Sequence, residues 1–140
     1  MIQTRHATNN FKNLIDFIRA TDKEEGHKHF TASGFMDLVV ENLYFNDFAG
    51  HKVYSISHYG EQNGDLMSDP DMEIAIDEEH GAIIPRTFRN DYMGVYQEVF
   101  REKGGKLFYN EKLLVDLDVF LWQWLKNIKA QGFTAEEARA

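Results

Sequence analysis

Between His58 and Asp77 the chain reads HYGEQNGDLMSDPDMEIAID, with six carboxylates and no lysine or arginine. Carboxylates at this density could converge on a divalent cation. They could pair with a histidine for proton transfer, or they could present a negative surface to a basic partner. The cation is the poorest match. Asp65, Asp69, Asp71 and Glu73 offer oxygens, but they do not follow the calcium-loop pattern D-x-[DN]-x-[DN]-G-x5-E, and Pro70 stiffens the segment. No specific metal is expected. For catalysis the candidates are His58 with Glu61 or Asp65. The other histidines, at 6, 27, 29, 51 and 80, have no H-x-x-x-H spacing, and the His27/His29 pair falls in a polar loop. The chain has no cysteine, so thiolate zinc sites, iron–sulfur clusters, disulfides and thiol nucleophiles are excluded. Nucleophile-elbow, phosphate-loop and dinucleotide fingerprints are also missing, and no cofactor is expected.

The charge is uneven. Val53 to Pro85 carries 8 acids and no Lys or Arg, whereas the rest of the chain balances 15 acids against 15 bases, so this segment accounts for the whole net charge of −8. Such a surface repels nucleic acid and attracts a basic protein. A merely solvated acidic face is the plain alternative, although solvated faces usually mix both signs.

The elements that must position these residues read as α+β. Phe11, Leu14, Ile15 and Ile18 predict a helix over Asn9–Ala20, capped by Asn9 or Asn10. The polar stretch after it, with Gly26, reads as a loop. Gly34–Phe45 fits either a helix face or a strand, and its central β-branched run favours a strand. Lys52–Tyr59 alternates as a strand, Asn63-Gly64 is a turn signal, and Asp69-Pro70 is read as a second bend. From Asp71 alternation resumes, and a short strand follows in Ala82–Phe88. Asp91–Phe100 is left open between strand and helix, and Gly104-Gly105 breaks the chain. Leu113, Leu114, Leu117, Phe120, Leu121, Trp124, Leu125 and Ile128 predict a long helix over Asn110–Gln131, ended by Gly132. The expected architecture is one domain over 1–140. It has an N-terminal helix, an antiparallel sheet of about four strands, and the long C-terminal helix packed on one sheet face, with 133–140 a frayed tail.

This frame divides the carboxylates. Asp65 and Asp69 are expected to hold bends by bonding nearby backbone N–H groups. Met72, Ile74 and Ile76 share one face of a strand. Burying them should turn Asp71, Glu73 and Asp77 outward, with Asp71 and Glu73 about 6.6 Å apart. Glu61, Glu78 and Glu79 add charge, and a row at this interval loosely imitates a nucleic-acid backbone. Trp122 lies off the apolar stripe of its helix and is a candidate contact residue, whereas Phe120 and Trp124 face the core.

The stretch His58-Tyr59, Glu61–Met67, Asp69-Pro70 and Met72, with Asn90-Asp91 and Gly94–Phe100, resembles an uncharacterised family of small domains. Its H-Y-x-E-Q-N-G-D-L-M-x-D-P motif is associated with phages and conjugative elements of gut bacteria. The resemblance covers 35–100 and implies a mobile-element setting, but no activity, catalytic residue or cofactor. The resulting expectation is a non-enzymatic accessory protein, cytoplasmic in a bacterial host. It would bind a basic partner through Glu61, Asp71, Glu73, Asp77, Glu78, Glu79 and Trp122. An inhibitor of a host-defence nuclease is the leading form, anti-CRISPR-like where the nuclease is RNA-guided. The alternative is a small enzyme or ligand-binding domain using the His58–Asp71 region. No signal segment is expected from the first residues, no apolar run of bilayer length is present, and the oligomeric state stays open.

Overall fold

The computed structural model describes residues 3–135. Helix α1 (Ala7–Lys23) buries Leu14, Ile15, Phe17 and Ile18, the stripe its periodicity marks. It starts two residues before the expected cap. His6 is the N-cap, with no side-chain cap bond, and its own N–H is taken at 2.9 Å by the carboxylate of Asp118 on the C-terminal helix. Asn10 lies inside the helix, fully buried, with its amide directed at Asp118. Among the described residues no helix is long and apolar enough to cross a membrane.

The sheet is larger than expected. Strands β1 (His27–Phe30), β2 (Leu38–Asn46), β3 (Lys52–Gln62), β4 (Asp65–Asp77), β5 (Ala82–Pro85), β6 (Thr87–Asn90) and β7 (Val95–Glu98) form one seven-stranded antiparallel sheet. Its order is β1-β2-β3-β4-β6-β7, with β5 also paired to β4. The expected count of about four missed β1, a polar tetrapeptide that hydrophobic periodicity cannot flag; the single strand expected over Ala82–Phe88 divides after Pro85 into β5 and β6, and Asp91–Phe100, left open between strand and helix, contains β7. Gly34–Phe45 resolves as strand from Leu38 onward. Strands β8 (Phe100–Lys103) and β9 (Lys106–Tyr109) form a separate hairpin across Gly104-Gly105.

The β3–β4 hairpin turns at Asn63-Gly64, where φ is +53° and +85°. A two-residue turn matching strand twist needs positive φ at both positions, which Asn tolerates and Gly adopts freely. The second expected bend is not a turn. Asp69-Pro70 lies within β4 as a cis peptide, and the pairing slips from Ser57↔Asp71 to Tyr59↔Ser68. Two residues of β4 thus oppose one of β3, which is a bulge.

Helix α2 (Glu111–Ala130) is capped by Asn110, whose side chain accepts the Leu113 N–H at 3.0 Å. Leu117, Leu121 and Trp124 are buried. Phe120 meets Phe88 of β6, and Trp124 meets His58 of β3, so α2 lies on the sheet face that carries Met72, Ile74 and Ile76. Position 133 departs from the expected frayed tail. Phe133 is buried and its ring sits 5.8 Å from that of His58. The remainder of the expected tail, 136–140, lies outside the described residues.

Candidate functional site

Because side chains alternate along a strand, covering one sheet face with helices leaves the other to Asp71 and Glu73. Strand register builds two rows across that face. Asp71 pairs with Ser57 on one side and Arg89 on the other, and Arg89 in turn pairs with Tyr96. Glu73 lies opposite Ser55, and Ser55 opposite Glu41. At the junction of β5 and β6, Arg86 donates its N–H to the Glu73 carbonyl at 2.8 Å, and the Thr87 hydroxyl accepts the Glu73 N–H at 3.1 Å. A groove of about 520 Å³ runs over Asp71, Glu73, Thr87, Arg89, Asp91 and Tyr96.

Both central carboxyl groups are half-buried, and burial pushes both above the ordinary carboxylate range. For Asp71, the Tyr59 hydroxyl donating at 3.2 Å and the charge of Arg89 oppose that rise without cancelling it. Arg86 opposes the rise at Glu73, while the charges of Asp71 and Glu98 add to it. Arg89 is directed elsewhere, since its Nε bonds Asp91 Oδ1 at 2.8 Å. Asp91 also takes the Ser68 N–H at 2.8 Å, and these bonds hold its carboxyl below the usual range. Burial raises the Tyr59 hydroxyl, aided by the nearby Asp71. The site therefore holds two carboxylates whose ionisation the fold disfavours, beside two guanidinium groups.

The structure does not bring His58, Glu61 and Asp65 together. His58 is buried on the helix side, with Nδ1 3.0 Å from the Asp37 carbonyl and its ring against Trp124 and Phe133. Glu61 and Asp65 are exposed at the end of the β3–β4 hairpin. Neither Asp65 nor Asp69 holds a bend as expected: no side-chain hydrogen bond is formed by Asp65 among the described residues, and Asp69, within β4, accepts from the Asn90 side-chain amide at 3.1 Å rather than from a nearby backbone N–H.

The expected outward row also loses a member. Asp77 is buried, accepting the His80 N–H at 3.1 Å and facing His80 Nδ1 at 2.8 Å. Burial alone would raise its carboxyl, but the His80 bonds and the nearby His51 hold it low. The cause is the turn after β4, which folds His80 back onto the strand end. Glu78 and Glu79 are exposed in that turn, about 23–26 Å from Asp71 at strand rise. The acidic stretch is thus divided among the hairpin tip, the open face and the far turn. Trp122 belongs to none of these. It is half-buried, stacked on His6 at 4.5 Å, with Lys126 Nζ 4.1 Å from its ring centre.

Sequence reasoning missed Tyr59, Glu41, Arg86, Arg89, Asp91 and Glu98. Only strand register brings them to Asp71 and Glu73, and the sole advance signal is the alternation of Thr87-Phe88-Arg89 after Pro85. Among the described residues no group of three or more His, Asp or Glu is arranged to hold a metal ion. The chain Asp47–His51–Asp77–His80, with contacts of 3.1, 3.7 and 2.8 Å, fastens the β2–β3 loop to the turn after β4.

Residues 9–134 match the model of a family described as Domain of unknown function (DUF6908). No curated protein and no solved structure matches the chain.

Proposed function

We propose that this chain, which belongs to the DUF6908 family of domains, is a binding protein whose helix-free sheet face docks on a basic surface of a protein partner. One observation carries the reading. Glu41, Asp71, Glu73, Asp91 and Glu98 gather on that face, against Arg86 and Arg89. Arg89 is bonded to Asp91, which leaves Asp71 and Glu73 short of countercharge in a groove that already penalises their ionisation. A partner's lysines or arginines supply that charge, and in a partly desolvated groove the attraction exceeds that of a fully hydrated pair.

In its finer form, the chain is an accessory protein of a phage or conjugative element. The basic surface is then the nucleic-acid channel of a host-defence nuclease, an RNA-guided one being the leading case. Carboxylates seated in such a channel exclude the nucleic acid. Affinity capture from a gut-bacterial lysate, with wild-type and Asp71→Asn/Glu73→Gln baits side by side, tests both levels. The expected result is a nuclease held by the wild type, released by the variant and inhibited only by the wild type. Identical captures on the two baits would contradict docking through this face.

A second reading rests on the same groove. Asp71, beside the Tyr59 hydroxyl, and Glu73, both with raised carboxyl groups, are suited to proton transfer on a small bound ligand. This reading predicts saturable binding of a small molecule in the absence of any partner, which the docking reading does not.

A further inference from the structure

The β8–β9 hairpin stands apart from the main sheet, and strand register fixes which of its side chains share a face. Arg101 lies opposite Phe108 and Lys103 opposite Lys106, so these four point to one side of the ribbon. Phe100 with Tyr109 and Glu102 with Leu107 point to the other. Phe100 is half-buried, with its ring 5.1 Å from that of Phe48, so this second side turns toward the body of the domain. The first side is left with three bases, one aromatic ring and no acid. All four of its side chains are exposed, Phe108 by 54%. Arg101, Lys103 and Lys106 form no ion pair and no side-chain hydrogen bond among the described residues. Like charges directly opposite one another on a ribbon repel, and no described residue offsets Lys103 against Lys106. Beside the ring an open depression of about 350 Å³ is lined by Arg101, Phe108, Tyr109 and Asn110, with Glu98 and Val99 completing it.

We infer that this side of the ribbon binds single-stranded nucleic acid, with a base stacked on Phe108 and phosphates meeting Arg101, Lys103 and Lys106. Single-strand sites combine cationic side chains that follow the backbone with exposed rings on which bases stack, and here both lie on four adjacent positions. The exposed ring among the bases discriminates between anionic occupants. Every nucleotide supplies both a phosphate and a planar face, whereas the charged residues of an acidic peptide have no planar face to lay on the ring. A duplex keeps its bases stacked on one another, so none is free for Phe108. An anionic membrane takes up an apolar edge, but the tip of this ribbon is Lys103-Gly104-Gly105-Lys106. Glu98 beside the depression and Glu102 on the reverse side oppose phosphate, yet Phe100 to Tyr109 still carries three bases against one acid. Carboxylates farther away than about 8 Å are largely screened at physiological salt.

The probes are a labelled oligothymidylate of about 12 nucleotides, an abasic strand with the same backbone, a duplex of equal length, an oligoglutamate peptide and phosphatidylserine vesicles. Fluorescence anisotropy of the full chain with each soluble probe gives affinities, co-sedimentation reports the vesicles, and amide chemical shifts give the location. The expected result is micromolar binding of the oligothymidylate, with shifts confined to 98–110, and binding of every other probe at least tenfold weaker. Phe108→Ala should weaken the oligothymidylate about tenfold, as for loss of one stacked base, and leave the abasic strand unchanged. Phe108→Trp keeps a ring and should bind at least as tightly as wild type, which separates lost stacking from a loosened hairpin. Lys103→Glu/Lys106→Glu should weaken both strands at least tenfold. Asp71→Asn/Glu73→Gln should alter neither, which keeps this test separate from the sheet-face reading. The inference is overturned if the oligothymidylate does not bind, if any other probe binds as tightly, or if binding is indifferent to Phe108→Ala or to the charge reversal.

Discussion

Asp71 and Glu73 sit where the fold makes ionisation costly, and that has a measurable sign. Their folded carboxyl groups titrate above their unfolded values because of burial. Above the folded values both states are ionised, and the native state bears the full penalty. As pH falls through the folded values toward about 4, the native state takes up protons first and the penalty disappears. Asp71→Asn and Glu73→Gln should therefore raise the melting temperature at pH 7, and the advantage over wild type should vanish near pH 4. Thermal melts across that range check it, and an advantage that persists at pH 4 would mean that desolvation is not its source. Asp77 behaves in the opposite sense. Its carboxyl is held low, so its stabilisation is present above about pH 4 and fades as the solution is acidified. Asp77→Asn should destabilise at pH 7 and converge with wild type in acid. At the junction of the two helices, Asp118 is buried and accepts from Thr4 Oγ1, the His6 N–H and the Asn10 amide. Asp118→Ala strands those donors and should cost about 1–3 kcal/mol by denaturant titration, well beyond an ordinary surface substitution.

The elements divide into those that local pattern specifies and those that only pairing reveals. Helix α2 is of the first kind: its cap, apolar stripe and end were all legible, and Leu121→Ala should cost about 2–5 kcal/mol because Leu121 is fully buried. Asn110→Ala should cost about 0.5–2 kcal/mol through loss of the bond to the Leu113 N–H. Equilibrium unfolding in urea measures both, and a neutral Leu121→Ala would contradict the packing of α2. The Asn63-Gly64 turn was legible because positive φ at two adjacent positions restricts the choice of residue. Strand β1 was not, since His27-Lys28-His29-Phe30 has no apolar alternation of its own and forms only by pairing with Leu38–Glu41. Asp69-Pro70 carried a turn signature yet lies in a strand, because the β3–β4 register absorbs the extra residue as a bulge. The site shares this division. The outward direction of Asp71 and Glu73 followed from Met72 and Ile74 alone. The partial neutralisation by Arg86 and Arg89 required knowing which strand lies beside β4.

At the scale of the molecule, the sheet separates two charged surfaces. The helix-free face gathers carboxylates around a small groove, and the helix side carries a larger basic one. In a chain of net charge −8 the basic side is a local reversal of sign, and the proposed docking through the sheet face should weaken with salt. The central claim concerns the sheet face, and the most direct test is the affinity of the captured partner for wild-type and Asp71→Asn/Glu73→Gln chains over a series of salt concentrations. The account predicts that the double variant, folded and at least as stable as wild type, binds about tenfold more weakly at low salt and that its affinity depends less steeply on salt. Equal affinity of the two chains at every salt concentration would contradict it and leave the carboxylates of the sheet face as a solvated surface.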